Sequence, residues 1–115
     1  MEPIIEAYIK ENRILKAYVD GGAQICVMGE RLMNQLRMEV SGPSTYREKL
    51  ANNVIVKCVG VINDVKIKVC GVEVAVDVYV MPSKGEGYPV ILGRPWIIAM
   101  QAKQDWEIGL LVLKP

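Results

Sequence analysis

The chain has 115 residues, 51% of them apolar, with 14 Lys and Arg set against 13 Asp and Glu. That length supports one buried core but not two, so residues 1–115 are expected to form a single domain. No apolar run approaches a membrane span, and the balanced, dispersed charge argues against nucleic acid as the main partner.

Ile4 to Ile9 and Arg13 to Val19 are rich in Ile, Val, Leu and Tyr, with Glu11-Asn12 between them as a turn, and so read as paired strands. After Asp20-Gly21-Gly22-Ala23 a third short strand is expected over Gln24 to Met28. Leu32, Met33 and Leu36 then fall at helical spacing, which predicts a short amphipathic helix within Glu30 to Met38. Ser41-Gly42-Pro43-Ser44 is a loop. Val54 to Val61, Val65 to Val69 and Val72 to Val80 are Val-rich and alternating, with Cys70-Gly71 as a hairpin turn. Val90-Ile91-Leu92 reads as a strand buried on both faces, and Gly93-Arg94-Pro95 opens a second short helix with proline where the first turn tolerates it. Trp106 and the run Leu110 to Leu113 are expected to make the last strands. Many short strands, two short helices and no βαβ rhythm indicate an all-β, barrel-like domain. Ile4 to Ile9 and Leu110 to Leu113 would then be exposed edges, which a second copy of the chain could cover.

The chain contains no histidine, which rules out Ser-His-Asp and Cys-His catalysis and His-rich metal hydrolases. Cys26, Cys58 and Cys70 are an odd number at wide spacings with no Cys-x-x-Cys, so they read as reduced thiols of an intracellular protein rather than metal ligands. No metal or cofactor is expected. The chemistry left is that of carboxylates. Asp20 ends an apolar run and is followed by two glycines, which let a loop turn sharply and free its N–H groups to hold a carboxylate. Asp64, Asp77 and Asp105 lack such a setting and read as solvated. Asp-Gly-Gly by itself describes an ordinary turn. It gains weight from its order: strand, Asp loop, short helix, Val-rich hairpin, then Ile-Leu-Gly-Arg ahead of a helix.

That order resembles the retropepsin family of aspartic proteases, and more closely the protease domain of plant Ty3/gypsy-type retrotransposons. The resemblance runs from Lys16 to Leu113. It is carried by Val19-Asp20-Gly21-Gly22-Ala23, Met28, Val59-Gly60-Val61-Ile62, Tyr88-Pro89-Val90-Ile91-Leu92-Gly93-Arg94-Pro95-Trp96 and Ala102-Lys103-Gln104-Asp105-Trp106. The resemblance implies a retropepsin-like closed β-barrel, the single-lobe acid-protease fold, and a homodimeric endopeptidase that cuts retroelement polyproteins. Asp20 takes the catalytic position, Gly21, Gly22 and Ala23 the active-site loop, and Ile91, Leu92, Gly93 and Arg94 the supporting segment. Ala51, Asn52, Asn53 and Val54 fall at the flap over the substrate, and Val19, Val56, Val90 and Ile91 join Val54 as candidates for lining apolar pockets. The implied partners are a second copy and a polypeptide substrate, with neither nucleic acid nor membrane. The implied location is cytoplasmic, with virus-like particles as one setting.

Two positions depart from the retroviral pattern. Gly21 stands where retroviral enzymes carry Thr or Ser, removing two symmetry-related hydrogen bonds worth on the order of 1–3 kcal/mol together. Gln24 stands where they carry an acid that pairs with the helix arginine, leaving Arg94 at best a neutral acceptor. The first departure also admits another reading, a catalytically inactive dimerisation or peptide-binding module. An unrelated nucleic-acid-binding β-barrel fits poorly, for want of a basic aromatic face.

Overall fold

The structure is a computed structural model describing residues 3–44, 47–49, 55–83 and 90–113. Among the described residues, eight strands and two helices follow in the order β1 (Ile4–Ile9), β2 (Asn12–Val19), β3 (Cys26–Gly29), α1 (Glu30–Gln35), β4 (Arg47–Lys49), β5 (Ile55–Lys57), β6 (Gly60–Val69), β7 (Val72–Met81), β8 (Val90–Leu92) and α2 (Arg94–Leu113). Six strands close a barrel in the order β1-β2-β8-β3-β7-β6, while β4 and β5 form a separate two-stranded sheet.

Hairpin chemistry sets the long strands. Cys70 and Gly71 both have positive φ, 50° and 79°, the two-residue turn whose twist matches its flanking strands, so β6 and β7 pair from Val69↔Val72 back to Gly60↔Val80. The β1–β2 turn has the same form at Lys10 and Glu11, one residue earlier than Glu11-Asn12, and the Asn12 side-chain amide steadies it by donating to the Lys10 carbonyl at 2.9 Å. The β6–β7 register shifts between Ile62 and Val65, where Asp64 takes a φ of 53°. Its N–H, freed from the ladder, donates to Asp77 Oδ1 at 3.0 Å, so these two exposed aspartates serve a β-bulge.

Alternation fills the barrel. Ala17, Met28, Val78, Val80, Val90 and Leu92 are all essentially inaccessible, and no polar or charged side chain is buried among the described residues. Beneath β3, α1 lacks a side-chain cap at its own Gly29; instead Ser83 Oγ, just past β7, accepts the Arg31 N–H at 2.9 Å. At the other end Lys10 Nζ donates to the Leu36 carbonyl, satisfying a C-terminal orphan acceptor.

Four expectations are corrected. The strand expected over Val54 to Val61 is broken, with β5 ending at Lys57 and β6 starting at Gly60. At the break, the Val59 N–H and the Cys58 thiol both donate to the Val80 carbonyl. The short strand β4 had no periodic signal. β1 is an exposed edge only in part: β6 pairs with Tyr8 and Ile9, while Ile4–Glu6 has no strand besides β2 among the described residues. The last strand is absent: α2 is 20 residues long and carries Leu110 to Leu113 in helical form. A strand needs a neighbour, and α2 packs instead on β3, β7 and β8.

Candidate active site

Strands β2 and β8 run parallel, with Val19 beside Leu92, so the residues that follow them emerge at the same end of the barrel. These are Asp20 and Gly93. The two chain segments are then laced together by main-chain bonds. Asp20 N–H donates to the Leu92 carbonyl at 3.0 Å, Ala23 N–H to the Asp20 carbonyl at 3.1 Å, and Arg94 N–H to the Ala23 carbonyl at 2.9 Å. The crossing leaves no room at Gly93. A Cβ there would fall well inside contact distance of the Ile25 carbonyl oxygen and 2.8 Å from that of Ala23.

Asp20 is half-buried at this crossing. Its Oδ1 accepts the Gly22 N–H at 2.9 Å, while Oδ2 has no partner among the described residues. The glycine loop therefore orients one carboxylate oxygen and leaves the other open. Gly21 and Gly22 are exposed at the loop tip, and nothing lies within 4 Å of where a Gly21 Cβ would be.

The supporting segment divides in role. Leu92 and Gly93 are buried and hold the crossing; Arg94 contributes its N–H, but its guanidinium is exposed and has no partner among the described residues. The expected contact with Gln24, also exposed, is therefore not made. Among the candidate pocket residues, Val90 is a core residue and Val19 packs against the core, whereas Ile91 lies half-buried on the opposite face of β8 and Val56 is half-buried on β5. Ala51, Asn52, Asn53 and Val54 lie outside the described residues; the strands on either side pair as an antiparallel hairpin, Lys49 opposite Ile55.

Cross-strand register reveals a feature that the separate motifs do not. Tyr18 pairs with Ile91, Ile91 with Val27, Val27 with Tyr79 and Tyr79 with Val61, a half-buried row across β2, β8, β3, β7 and β6. Strand alternation puts this row on the face opposite the core. Its members were legible one by one as alternating residues, but their alignment depends on two parallel pairings that no local pattern encodes.

The thiols differ in setting. Cys26 is buried, and desolvation raises its pKa despite backbone N–H groups of Gly93 and Trp96 that favour the thiolate; Cys58 is half-buried and Cys70 exposed. Among the described residues no group of three His, Cys, Asp or Glu could hold a metal ion.

A six-stranded closed barrel with a glycine-braced carboxylate where two parallel strands end is the retropepsin-like fold. A family model described as aspartyl protease matches residues 5–96, and the chain belongs to that family. No curated protein matches the chain in sequence. Among solved structures, the retroviral protease-like domain of Ddi1 from Leishmania major is similar in fold, with a TM-score of 0.60 and 20% identity over 81% of this chain and 72% of that one.

Proposed function

We propose that this protein is an aspartic endopeptidase of the retropepsin type, active as a homodimer in which Asp20 of each copy supplies half of the catalytic pair. The observation that carries this reading is the Asp20 carboxylate itself, fixed through Oδ1 and open at Oδ2 at the barrel end where the chain crosses. Two carboxylates brought to about 3 Å cannot both ionise and so share one proton. The ionised one takes a proton from water while the protonated one donates to the peptide carbonyl oxygen, giving a gem-diol. Return of the proton to the amide nitrogen, while the other carboxylate takes one from a gem-diol hydroxyl, breaks the C–N bond and regenerates the pair. The half-buried row from Tyr18 to Val61, which starts two residues before Asp20, is the candidate wall for substrate side chains. The hairpin of β4 and β5, which frames residues 50–54, suits the flap. The substrate class is polypeptide, with a retroelement polyprotein of the plant Ty3/gypsy type, cut in the cytoplasm or in virus-like particles, as the specific proposal.

The test is peptide cleavage at several protein concentrations across acidic to neutral pH, comparing wild type with Asp20→Asn. Specific activity that rises with concentration, follows a bell-shaped pH profile and vanishes in the variant supports the reading. Wild type that is dimeric by sedimentation yet inert overturns it. A second reading, a peptide-binding dimer without turnover, draws on the missing hydroxyl at Gly21. Tight binding of a pepstatin-like transition-state mimic would exclude it, because that affinity needs an assembled pair.

A further inference from the structure

Charged residues in the barrel are matched in sign. Lys68 of β6 stands opposite Glu73 of β7, and Arg13 of β2 is paired with Glu6 of β1. The β4–β5 hairpin breaks this pattern. Its ladder sets Arg47 directly opposite Lys57, the one like-charge pair among the described pairings. Like charges at such positions repel, because their Cβ atoms lie only about 5 Å apart. Both residues are exposed, and neither has an ion-pair partner among the described residues. Glu48, the acid in this stretch of sequence, occupies the intervening register position, opposite Val56.

Alternation divides the two faces of the hairpin. Val56 is half-buried, whereas Ile55 and Lys57 on either side of it are exposed, Ile55 to 58%. One face therefore presents two cations and, two residues along β5, an exposed isoleucine. This sheet has only two strands and is separate from the barrel. Such a hairpin is marginal in water, and the repulsion at its base is offset by nothing among the described residues. A carboxylate set between the two cations would turn that repulsion into attraction. An extended chain brings every second side chain to the same side, roughly 7 Å apart. A segment with an acid at one position and an apolar residue two further on therefore meets both the cation pair and Ile55.

We infer that the face formed by Arg47, Ile55 and Lys57 is a docking surface for an acidic, extended segment of the polypeptide substrate, outside the residues being cut. In naming the occupant as substrate, this rests on the protease reading above. The charge of the face selects the chemistry: two unmatched cations call for carboxylates, and Ile55 calls for an apolar neighbour rather than a sugar-phosphate chain. A contact with residues that are not cut stabilises ground state and transition state alike, so it acts on KM and not on kcat.

The experiment reads binding and cleavage separately. Short fluorescein-labelled peptides that differ only in Glu, Gln or Lys at alternate positions between valines are titrated with Asp20→Asn by anisotropy, which reports binding without turnover. The Glu peptide should bind about three- to tenfold more tightly than the Gln peptide at low salt, an advantage that disappears at about 1 M salt. The double variant Arg47→Glu, Lys57→Glu should invert the order in favour of the Lys peptide, which mere loss of the hairpin would not do. Attached to one cleavable peptide, the same segments should change KM for wild type by that factor and leave kcat unmoved. Equal binding of the Glu and Gln peptides, or a double variant that keeps the wild-type order, overturns the surface and leaves the protease reading intact. Single-stranded RNA of equal charge that binds more tightly than the Glu peptide, and is released by the double variant, assigns the face to nucleic acid and overturns the peptide. The expected charge preference in a wild type that cuts no peptide overturns the protease reading and leaves the surface standing.

Discussion

Gly93 and Gly21 belong to the same crossing, and in the sequence they look alike, each following the end of an apolar strand. In space they are opposites. Gly93 is buried, with carbonyl oxygens of Ile25 and Ala23 occupying the space a Cβ would need, whereas a Cβ at Gly21 would meet nothing within 4 Å. Nor does Gly21 have the positive φ that would require glycine. One glycine is therefore demanded by the architecture of the barrel. The other is a free position at the loop tip.

The largest expected effect breaks the first half of this contrast. Gly93→Ala should destabilise the fold by roughly 3–5 kcal/mol, because its methyl can be accommodated only by parting the Asp20 loop from β8. Urea unfolding measures it, and a loss below about 1 kcal/mol would show that the crossing is pliable. Leu92→Ala, which opens a cavity at a fully buried position next door, should cost about 2–4 kcal/mol in the same assay. Gly21→Thr should do the opposite within one chain, leaving stability unchanged or raising it by about 0.4–1 kcal/mol through a less flexible unfolded state. If the loops of two copies meet, sedimentation should also show a dimer tighter by about 1–3 kcal/mol. An unchanged dissociation constant would mean that the loops do not meet.

The same contrast explains what the sequence discloses. The Asp20 loop and the Leu92-Gly93-Arg94 segment are legible because tight crossings demand particular small residues and particular neighbours. Alternation revealed β1, β2, β6 and β7, whose side chains divide between core and surface. The break at Cys58-Val59 was not legible, since its cause is the Val80 carbonyl on a strand that lies far along the chain. Ser83 as the cap of α1 was hidden for the same reason. Leu110 to Leu113 misled because a short apolar run carries no period that separates strand from helix.

Charge effects are smaller and separate a buried group from an exposed one. Burial raises the Cys26 pKa, so the fold holds the neutral thiol while an unfolded chain ionises near pH 8.5. Its contribution is complete below that pH and is lost as pH rises towards the folded value, so stability should fall in mild alkali. Cys26→Val, which cannot ionise, should flatten that decline in unfolding experiments between pH 8 and about 10. Thiol labelling checks the same asymmetry, with exposed Cys70 reacting well before Cys26.

The smallest effect belongs to the surface pair of Glu6 and Arg13, 2.9 Å apart across β1 and β2. Hydrogen bonds from the Arg13 guanidinium and then the Tyr8 hydroxyl lower the Glu6 pKa, so its contribution is present above the ordinary carboxylate range and lost as pH falls through the folded value. Both side chains are bathed in solvent, and salt screens what attraction remains. Glu6→Gln should therefore leave neutral-pH unfolding almost unchanged, and the little it removes should disappear in high salt. A substantial, salt-insensitive loss would instead show that the β1–β2 pairing beside the open Ile4–Glu6 edge leans on this ion pair, and that the edge is held in place by charge rather than by the core beneath it.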